Sequence, residues 1–305
     1  MLGMHEFIAT APFDLYELHL FHLVAEHQSF TKAASLAGLT QSAVTRQMQG
    51  IEQSLGVELF ERTTRSVRLT DAGILLRDES ERLLGGVQGL LQRVREDFAG
   101  ARKQVSVGVS RSIGLAYLPG FFHANLRKLP AVGYRVSSIS STAIVNALEA
   151  NRMDLGVICP PPRLPVTLRV THRFQDAFVL IASGDAATSF DGKAKARVQW
   201  ASRQSWLLPD GATNTGRRLR SWMRRQNLAV EPSMELDSFD LIINLVALGM
   251  GVGFVPIRAL ALYNRKRAIN RLPWPERFER ELVVIMRRNR KVPTHLAQFV
   301  DNVLF

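Results

Sequence analysis

"SFTKAASLAGLTQSAVTRQMQGIEQSLG", residues 29–56, contains two short helical patterns separated by a glycine. In the first pattern Ala33 and Ala34 are small enough for another helix to cross closely, and Thr31 is the predicted N-cap residue. Gly38 suits the turn that ends this helix, because glycine readily adopts the left-handed conformation of a C-terminal cap. Two helical patterns joined by such a tight turn predict a helix-turn-helix.

The second helix of this pair combines an apolar stripe with a polar face that carries little charge. Thr40 is its predicted N-cap residue, and its apolar stripe, spaced for one side of an α-helix, consists of Val44, Met48, Ile51 and Leu55. The opposite face presents Gln41, Ser42, Thr45, Arg46 and Gln49. Amide, hydroxyl and guanidinium groups are those that hydrogen-bond to base edges in the DNA major groove. We therefore predict base recognition by this face; the alternative is an ordinary solvated face of a small helical bundle.

The residues that follow carry three arginines, Arg62, Arg65 and Arg68, with no acidic residue between positions 63 and 70. Val67 and Leu69 alternate with polar residues there, which is typical of a short hairpin. Arginines beside a recognition helix can hold phosphates or enter the minor groove. Together with Thr31 and Thr40 they complete the predicted set of DNA contacts.

Net charge alone does not mark this region as a DNA-binding site. The whole chain is strongly basic, with a formal charge of +12, which favours a nucleic-acid partner. However, the first 100 residues hold nine Lys/Arg and thirteen Asp/Glu, a net −4, while the remaining 205 hold 30 and 14, a net +16. DNA binding by the first 100 residues must therefore depend on local geometry.

Residues 21–73 resemble the DNA-binding domain of the LysR-type transcriptional regulators. The matching positions are Ser29, Phe30, Ala33, Ala34, Leu36, 41–44, Glu52, Leu55, Gly56, 59–62, Leu69, Thr70, Ala72 and Gly73. Gln49 and Gly50 depart from the family, which often has basic residues there. The resemblance implies a regulator of transcription that binds a pseudo-palindromic operator of the T-N11-A type and responds to a small-molecule effector. It also implies dimers and tetramers, RNA polymerase as a further partner, and no cofactor.

A long amphipathic stretch follows from Thr70, its predicted N-cap, to about Ala99. Its apolar residues repeat with heptad spacing, which is typical of paired helices, and they are Leu76, Leu83, Val87, Leu90 and Val94. A helix packed against its own domain is the alternative. The resemblance implies a linker helix that pairs two subunits.

After residue 104, short apolar strands alternate with helices, which predicts an α/β fold with a largely parallel sheet. Two such lobes joined by crossing strands resemble the periplasmic binding proteins and the effector-binding domain of the regulator family. The predicted fold is thus α/β overall, with an N-terminal winged helix-turn-helix (all-α with a short β wing), a linker helix and a two-lobe α/β domain. The predicted boundaries are 14–72, 73–99 and 104–305, with lobe I at about 104–178 and 267–305 and lobe II at about 179–266.

Segments rich in hydroxyl groups follow three of the predicted strands. They contain Ser110, Arg111, Ser112, Ser140, Ser141, Thr142, Thr213, Asn214 and Thr215. Ligands of α/β sheets bind beyond the carboxyl ends of the strands, against helix N-termini that favour anions. We predict that these residues bind a small carboxylate or similar anion, with Arg111 adding a charge-assisted pair. The alternative is that the Ser and Thr residues only cap helices.

Other classes of protein fit the sequence less well. Cys159 is the single cysteine, which excludes an intramolecular disulfide and a multi-cysteine zinc site, and we expect it to be an apolar filler at a strand end. The histidines are scattered, so no metal site is predicted, and no catalytic motif is present, so an enzyme is not expected. A solute-binding protein is the closer rival, because the last 200 residues have that fold.

The chain has no apolar run of the roughly 18 residues that span a membrane, and residues 1–14 lack the features of a secretory signal. We therefore expect a cytoplasmic protein.

A dense group of basic residues lies in the second half of the chain, and it consists of Arg217, Arg218, Arg220, Arg224 and Arg225. Such a group is either a solvated helix face or a surface for an acidic partner.

Overall fold

The computed structural model describes residues 11, 13–62, 66–100, 102–113, 117, 122, 126–261, 263, 268–288 and 292–301. Contacts divide the chain into two units, Met1–Gln92 and Arg93–Phe305. The helices in the described residues are α1 (Leu15–His27), α2 (Phe30–Ala37), α3 (Gln41–Leu55), α4 (Asp71–Phe98), α5 (Ser141–Glu149), α6 (Gly184–Thr188), α7 (Ala194–Ser202), α8 (Asn214–Arg225), α9 (Phe239–Ala247), α10 (Ile257–Ala261) and α11 (Thr294–Asp301). The strands are β1 (Phe60–Arg62), β2 (Val67–Leu69), β3 (Gln104–Ser110), β4 (Gly133–Ile139), β5 (Leu155–Ile158), β6 (Leu168–Ala182), β7 (Trp206–Pro209), β8 (Pro232–Leu236), β9 (Gly253–Pro256), β10 (Asn270–Leu272) and β11 (Glu279–Arg287).

Helices α2 and α3 form the predicted helix-turn-helix, but α2 begins earlier than the sequence suggested. Ser29 is its N-cap: the Ser29 side chain accepts a hydrogen bond from the backbone N–H of Lys32 at 3.2 Å. The prediction of Thr31 as N-cap was therefore wrong, and Thr31 lies exposed in the first turn. Gly38 ends α2 with a φ of 68°, so the left-handed cap is confirmed.

The core of the first unit is formed by α1, α2 and the predicted stripe of α3. Val44, Met48 and Ile51 are buried, whereas Leu55 is 38% exposed. Ile51 is thus the last position of the predicted stripe that the core buries. Burial of Ala33 and Ala34 confirms the close helix crossing that their size predicts.

Strands β1 and β2 pair antiparallel with Phe60 opposite Leu69, which confirms the predicted hairpin. The Glu52 side chain of α3 holds this hairpin in place. Its Oε1 atom accepts hydrogen bonds from the backbone N–H groups of Leu59 and Phe60, at 2.9 and 3.1 Å. The hairpin is therefore attached to the C-terminal end of α3, beyond the residues of the polar face.

Helix α4 begins as predicted, with the Thr70 hydroxyl accepting a hydrogen bond from the backbone N–H of Gly73 at 3.0 Å. Leu76 packs against the core of the first unit, so this first heptad position has an intramolecular role. Ser80 is also buried there, and its hydroxyl lies 2.7 Å from Nε2 of His22. Further along α4, Leu83 and Leu90 are each 53% exposed.

The large sheet of the second unit has the strand order β10-β6-β11-β5-β3-β4, with β9 also paired to β6. Strand β3 is parallel to β4 and to β5, but β11 runs antiparallel to both β5 and β6. The prediction of a largely parallel sheet was therefore wrong. The reason is that β6 carries the chain out of the first lobe and β11 carries it back, so the two crossing strands run in opposite directions.

Two lobes with separate cores flank these crossing strands. The first-lobe core includes Val107 and Val284, and the second-lobe core includes Leu208 and Phe254. Phe278 also packs in the second core, so lobe II extends past residue 266, where the sequence placed its boundary. The sequence also predicts a helix over about 112–129, and most of that range lies outside the described residues. In the part of the chain that the structure describes, no helix is both long and apolar enough to cross a membrane.

Candidate functional site

The polar face of α3 is open to solvent in the first unit. Gln41, Arg46 and Gln49 are exposed along it. Their terminal amide and guanidinium groups offer hydrogen-bond donors and acceptors on this face. The face thus has the chemistry predicted for it.

The hydroxyl groups of the same region already have local partners. Thr40 caps α3 by accepting a hydrogen bond from the backbone N–H of Ala43 at 3.2 Å, and its hydroxyl lies 3.1 Å from that of Ser42. The Thr45 hydroxyl donates to the Gln41 carbonyl at 2.9 Å. These hydroxyls orient and cap the helix, so the amide and guanidinium groups are the ones most available to another molecule.

The three predicted phosphate-binding arginines differ in their surroundings. Arg62 is paired with Glu52 at 2.5 Å, and its guanidinium lies 4.7 Å from the ring centre of Phe30. These contacts give Arg62 a role in joining the hairpin to the helices. Arg68 is exposed on β2, and Arg65 lies outside the described residues.

In the second unit, two of the predicted effector segments meet at the carboxyl ends of β3 and β4. Ser110 pairs in register with Ile139, and the backbone N–H of Arg111 donates to the Ile139 carbonyl at 3.2 Å. Ser140 caps α5 by accepting a hydrogen bond from the Ala143 N–H at 3.2 Å. Ser141 and Thr142 follow in the first turn of that helix. The structure therefore brings these segments together, with Ser140 used as a cap.

The third segment lies on lobe II, at the N-terminus of α8. Thr213 caps this helix by accepting a hydrogen bond from the Gly216 N–H at 3.0 Å. A side chain at position 216 would collide with the Asp210 carbonyl, so the first turn of α8 requires glycine there. Asn214 reaches across to lobe I, where its Nδ2 atom donates to the Cys159 carbonyl at 3.0 Å. Cys159 itself is buried beside β5, as expected.

An exposed ion pair also connects the two lobes. The Arg111 guanidinium lies 3.1 Å from the carboxylate of Asp237, which follows β8 of lobe II. Both side chains are about half exposed, so solvent screens the pair and its contribution to stability is small. Arg111 is therefore accessible, but its charge is balanced.

Beneath this pair lies a fully buried arginine, Arg280, which the sequence analysis did not identify. Its Nε atom donates to Asp176 at 2.8 Å, within the pair of crossing strands. Its Nη1 atom donates to the Ser112 hydroxyl at 3.1 Å on lobe I and to the Thr215 hydroxyl at 2.8 Å on lobe II, and its Nη2 atom donates to the Ser112 carbonyl at 2.8 Å. Two predicted effector residues are thus bound to Arg280, which joins both lobes to the crossing strands.

Aromatic side chains complete the surroundings of Arg280. Its guanidinium lies 5.1 and 5.3 Å from the ring centres of Phe178 and Phe239. The Tyr117 hydroxyl donates a hydrogen bond to Asp176. Burial, and then the neighbouring Asp176 carboxylate, raise the pKa of Tyr117 far above its usual value, so Tyr117 stays protonated and remains a donor.

A sequence signal for this cluster did exist. Asp176 stands in phase with the buried Phe178 and Leu180 of β6, and Arg280 stands in phase with Leu282 of β11. A charged residue on the buried face of a strand requires a partner. Within the described residues, no group of His, Cys, Asp and Glu side chains has the arrangement of a metal site.

Comparisons with known proteins agree with both units. The family model of the "LysR substrate binding domain" matches residues 98–304, and that of the "Bacterial regulatory helix-turn-helix protein, lysR family" matches residues 15–74. The HTH-type transcriptional regulator YfeR of Shigella flexneri is 27% identical over 95% of this chain and 93% of its own. The crystal structure of CbnR, a LysR family transcriptional regulator, has a TM-score of 0.70 at 21% identity and covers 95% of this chain and 98% of that one. CbnR in complex with its target DNA has a TM-score of 0.69 at 21% identity, covering 95% and 99%.

Proposed function

We propose, for a chain that belongs to the LysR family of DNA-binding transcriptional regulators, that α3 reads the base sequence of an operator and that the cleft between the lobes binds a small anionic effector. The observation that carries the first part is the exposure of Gln41, Arg46 and Gln49 on the polar face of a capped helix. Glutamine pairs with adenine and arginine with guanine in the major groove. CbnR, which shares this fold, has been crystallised with its target DNA.

The proposed effector site lies where Arg111, Ser112 and the N-termini of α5 and α8 converge on the cleft. Helix N-termini and an accessible arginine both favour a carboxylate or a similar anion. A ligand that binds one arrangement of the lobes more tightly than another shifts the population towards it. We propose that this shift alters how the paired DNA-binding regions meet an operator, and that regulation passes on to RNA polymerase.

The proposed assembly is a dimer that pairs through α4, with a tetramer built from two such dimers. Residues 73–99 then form a linker between a DNA-binding domain at 14–72 and an effector domain at 104–305. Pairing doubles the contact with DNA and matches a pseudo-palindromic operator. We place the protein in the cytoplasm, where its DNA is, and assign it no catalytic activity. A solute-binding protein of similar fold would not need the first unit.

Replacement of Gln41 by alanine tests base recognition. We expect Gln41→Ala to weaken binding to a duplex selected from a random pool by about 1–3 kcal/mol, because a bidentate contact to one base is lost. Binding to a random duplex should change little. The measurement is fluorescence anisotropy with both duplexes at one fixed salt concentration.

Two further variants complete this experiment. Gln53→Ala removes the same group from an exposed position near the other end of α3 and should leave both affinities unchanged. Arg68→Ala should weaken binding to both duplexes. It should also lower the slope of log Kobs against log salt by about 1, because one phosphate contact is lost. Equal losses on both duplexes for Gln41→Ala would count against base reading.

A further inference from the structure

The edge of the lobe I sheet that lies opposite the cleft carries an exposed group of basic side chains. Strands β3, β4, β5 and β6 begin at this edge, and β11 ends there. We define the basic rim by six exposed residues of this edge, Arg102, Lys103, Arg127, Arg135, Arg169 and Arg288. It is also the edge at which the chain arrives from α4.

Strand register and hydrogen bonds bring the rim together from distant parts of the sequence. Arg135 on β4 stands beside Ser106 on β3, and Arg169 on β6 stands beside Met286 on β11. The Arg102 guanidinium donates to the carbonyls of the turn at 130–132, which follows Arg127. Arg288 comes directly after β11. The fold thus brings these residues, which are distant in sequence, to one edge of the sheet.

The local hydrogen bonds of these cations do not neutralise them. Arg288 donates to the Val166 carbonyl at 3.1 Å, and Arg169 lies 3.6 Å from the Met286 sulfur. Carbonyl and thioether acceptors carry no net charge, so the guanidinium charges persist. The described carboxylates that reach this edge are fewer than its cations, and they are Glu96, Glu149 and Asp154.

We infer that the basic rim binds the phosphate backbone of DNA, in addition to the contacts made by α3; this inference rests on the proposed function. The first 100 residues carry a net −4, whereas sequence-independent affinity for DNA comes from neutralising phosphates with Lys and Arg. The rim supplies this sequence-independent affinity without obstructing the cleft, because the rim and the cleft lie at opposite edges of the sheet.

The test is the salt dependence of DNA binding by the full chain. The variant Lys103→Gln/Arg127→Gln/Arg135→Gln removes three rim charges and keeps the local bonds of Arg102, Arg169 and Arg288. Its affinity for a mixed-sequence duplex of about 60 base pairs, long enough to extend beyond one operator, is measured from low to moderate salt. We expect the slope of log Kobs against log salt to fall by about 2–3, since each phosphate contact contributes about 0.9.

Two matched variants serve as controls. Arg203→Gln/Arg224→Gln/Arg277→Gln removes three exposed charges from lobe II and should leave the slope as in the wild type. Lys103→Arg/Arg127→Lys/Arg135→Lys keeps the rim charge and should restore the wild-type slope. Circular dichroism of the three proteins checks that each is folded.

Two of the remaining outcomes decide against the rim. A rim variant with the same slope as the lobe II control overturns this inference, and if the wild type still prefers selected duplexes, the proposed function stands. A change in oligomeric state by sedimentation, with an unchanged slope, would assign the rim to the acidic first 100 residues of a second copy. A wild type that prefers no duplex would refute the proposed function. The slope of log Kobs against log salt on mixed-sequence DNA would then test the rim independently.

Discussion

At the level of single residues, Ser29 and Thr31 compete for the start of α2, and the structure chooses Ser29. The serine has extended backbone angles and accepts from the Lys32 N–H, whereas Thr31 already has a place inside the helix. Sequence reasoning could not separate two hydroxyl residues that stand two positions apart. Only the path of the chain out of α1 decides which of them precedes the first turn.

This assignment predicts a difference in stability. Ser29→Ala should lower the free energy of unfolding by about 1 kcal/mol, because the cap of the Lys32 N–H is lost. Thr31→Ala should change it by less than about 0.5 kcal/mol, as for an ordinary surface position. Urea unfolding followed by circular dichroism measures both. A larger loss for Thr31→Ala than for Ser29→Ala would contradict the assignment.

Tyr117 predicts a pH dependence. Its pKa is raised in the folded chain, so its contribution to stability is fully present below the unfolded value of 10.0 and is lost as pH rises above it. Above pH 10, the wild type should therefore lose about 1.4 kcal/mol more per pH unit than Tyr117→Phe, which has no proton to release.

Urea unfolding of both proteins at several values between about pH 9 and pH 11 measures this difference. Other tyrosines and the lysines titrate in both proteins, so their effects cancel in the comparison. Parallel pH profiles for the wild type and Tyr117→Phe would show that Tyr117 does not hold its proton.

At the level of elements, α4 has two different surroundings along its length. Its first turns pack Leu76 and Ser80 on the core of the first unit, and beyond them Leu83, Leu90 and Val94 are about half exposed. Heptad spacing indicated one continuous seam. Heptad spacing could not distinguish positions that pack within the same chain from positions that are available to a second chain, because both are apolar and equally spaced.

The exposed part of α4 predicts an effect on assembly. Leu83→Gln should weaken dimerisation roughly a hundredfold, because a buried leucine contributes about 1.5 kcal/mol or more in each of two subunits. Leu75→Gln is the matched control, since Leu75 is 65% exposed and lies off this seam. Sedimentation equilibrium gives both dissociation constants, and equal shifts for the two variants would contradict pairing through Leu83.

At the level of the whole molecule, charge balance governs the proposed effector site. Arg280 is neutralised by Asp176 inside the protein, and Arg111 is paired with Asp237 at the surface. Ser112 and Thr215 already bind Arg280. An incoming anion therefore has to compete with Asp237 for Arg111, so the two members of this pair have opposite effects on its binding.

This competition predicts opposite changes in affinity. A carboxylate found by screening for an increase in melting temperature should bind more weakly to Arg111→Gln and more tightly to Asp237→Asn, each by about tenfold for 1.4 kcal/mol. Isothermal titration calorimetry measures both, with the corresponding amide as the uncharged control ligand. If both variants bind the carboxylate as the wild type does, its charge is not recognised by Arg111.

Local patterns in the amino-acid sequence were enough to predict the helix-turn-helix, the hairpin and the alternation of strands and helices. Caps, glycine turns and apolar spacing act over a few residues, and Thr40, Gly38 and Val44 occupy the places that their neighbours predict. The direction of β11, the pairing of Arg280 with Asp176 and the assembly of the basic rim depend instead on contacts between distant parts of the chain. Asp176 and Arg280 are 104 residues apart, and local spacing records which positions are buried but not which distant strand will lie beside them.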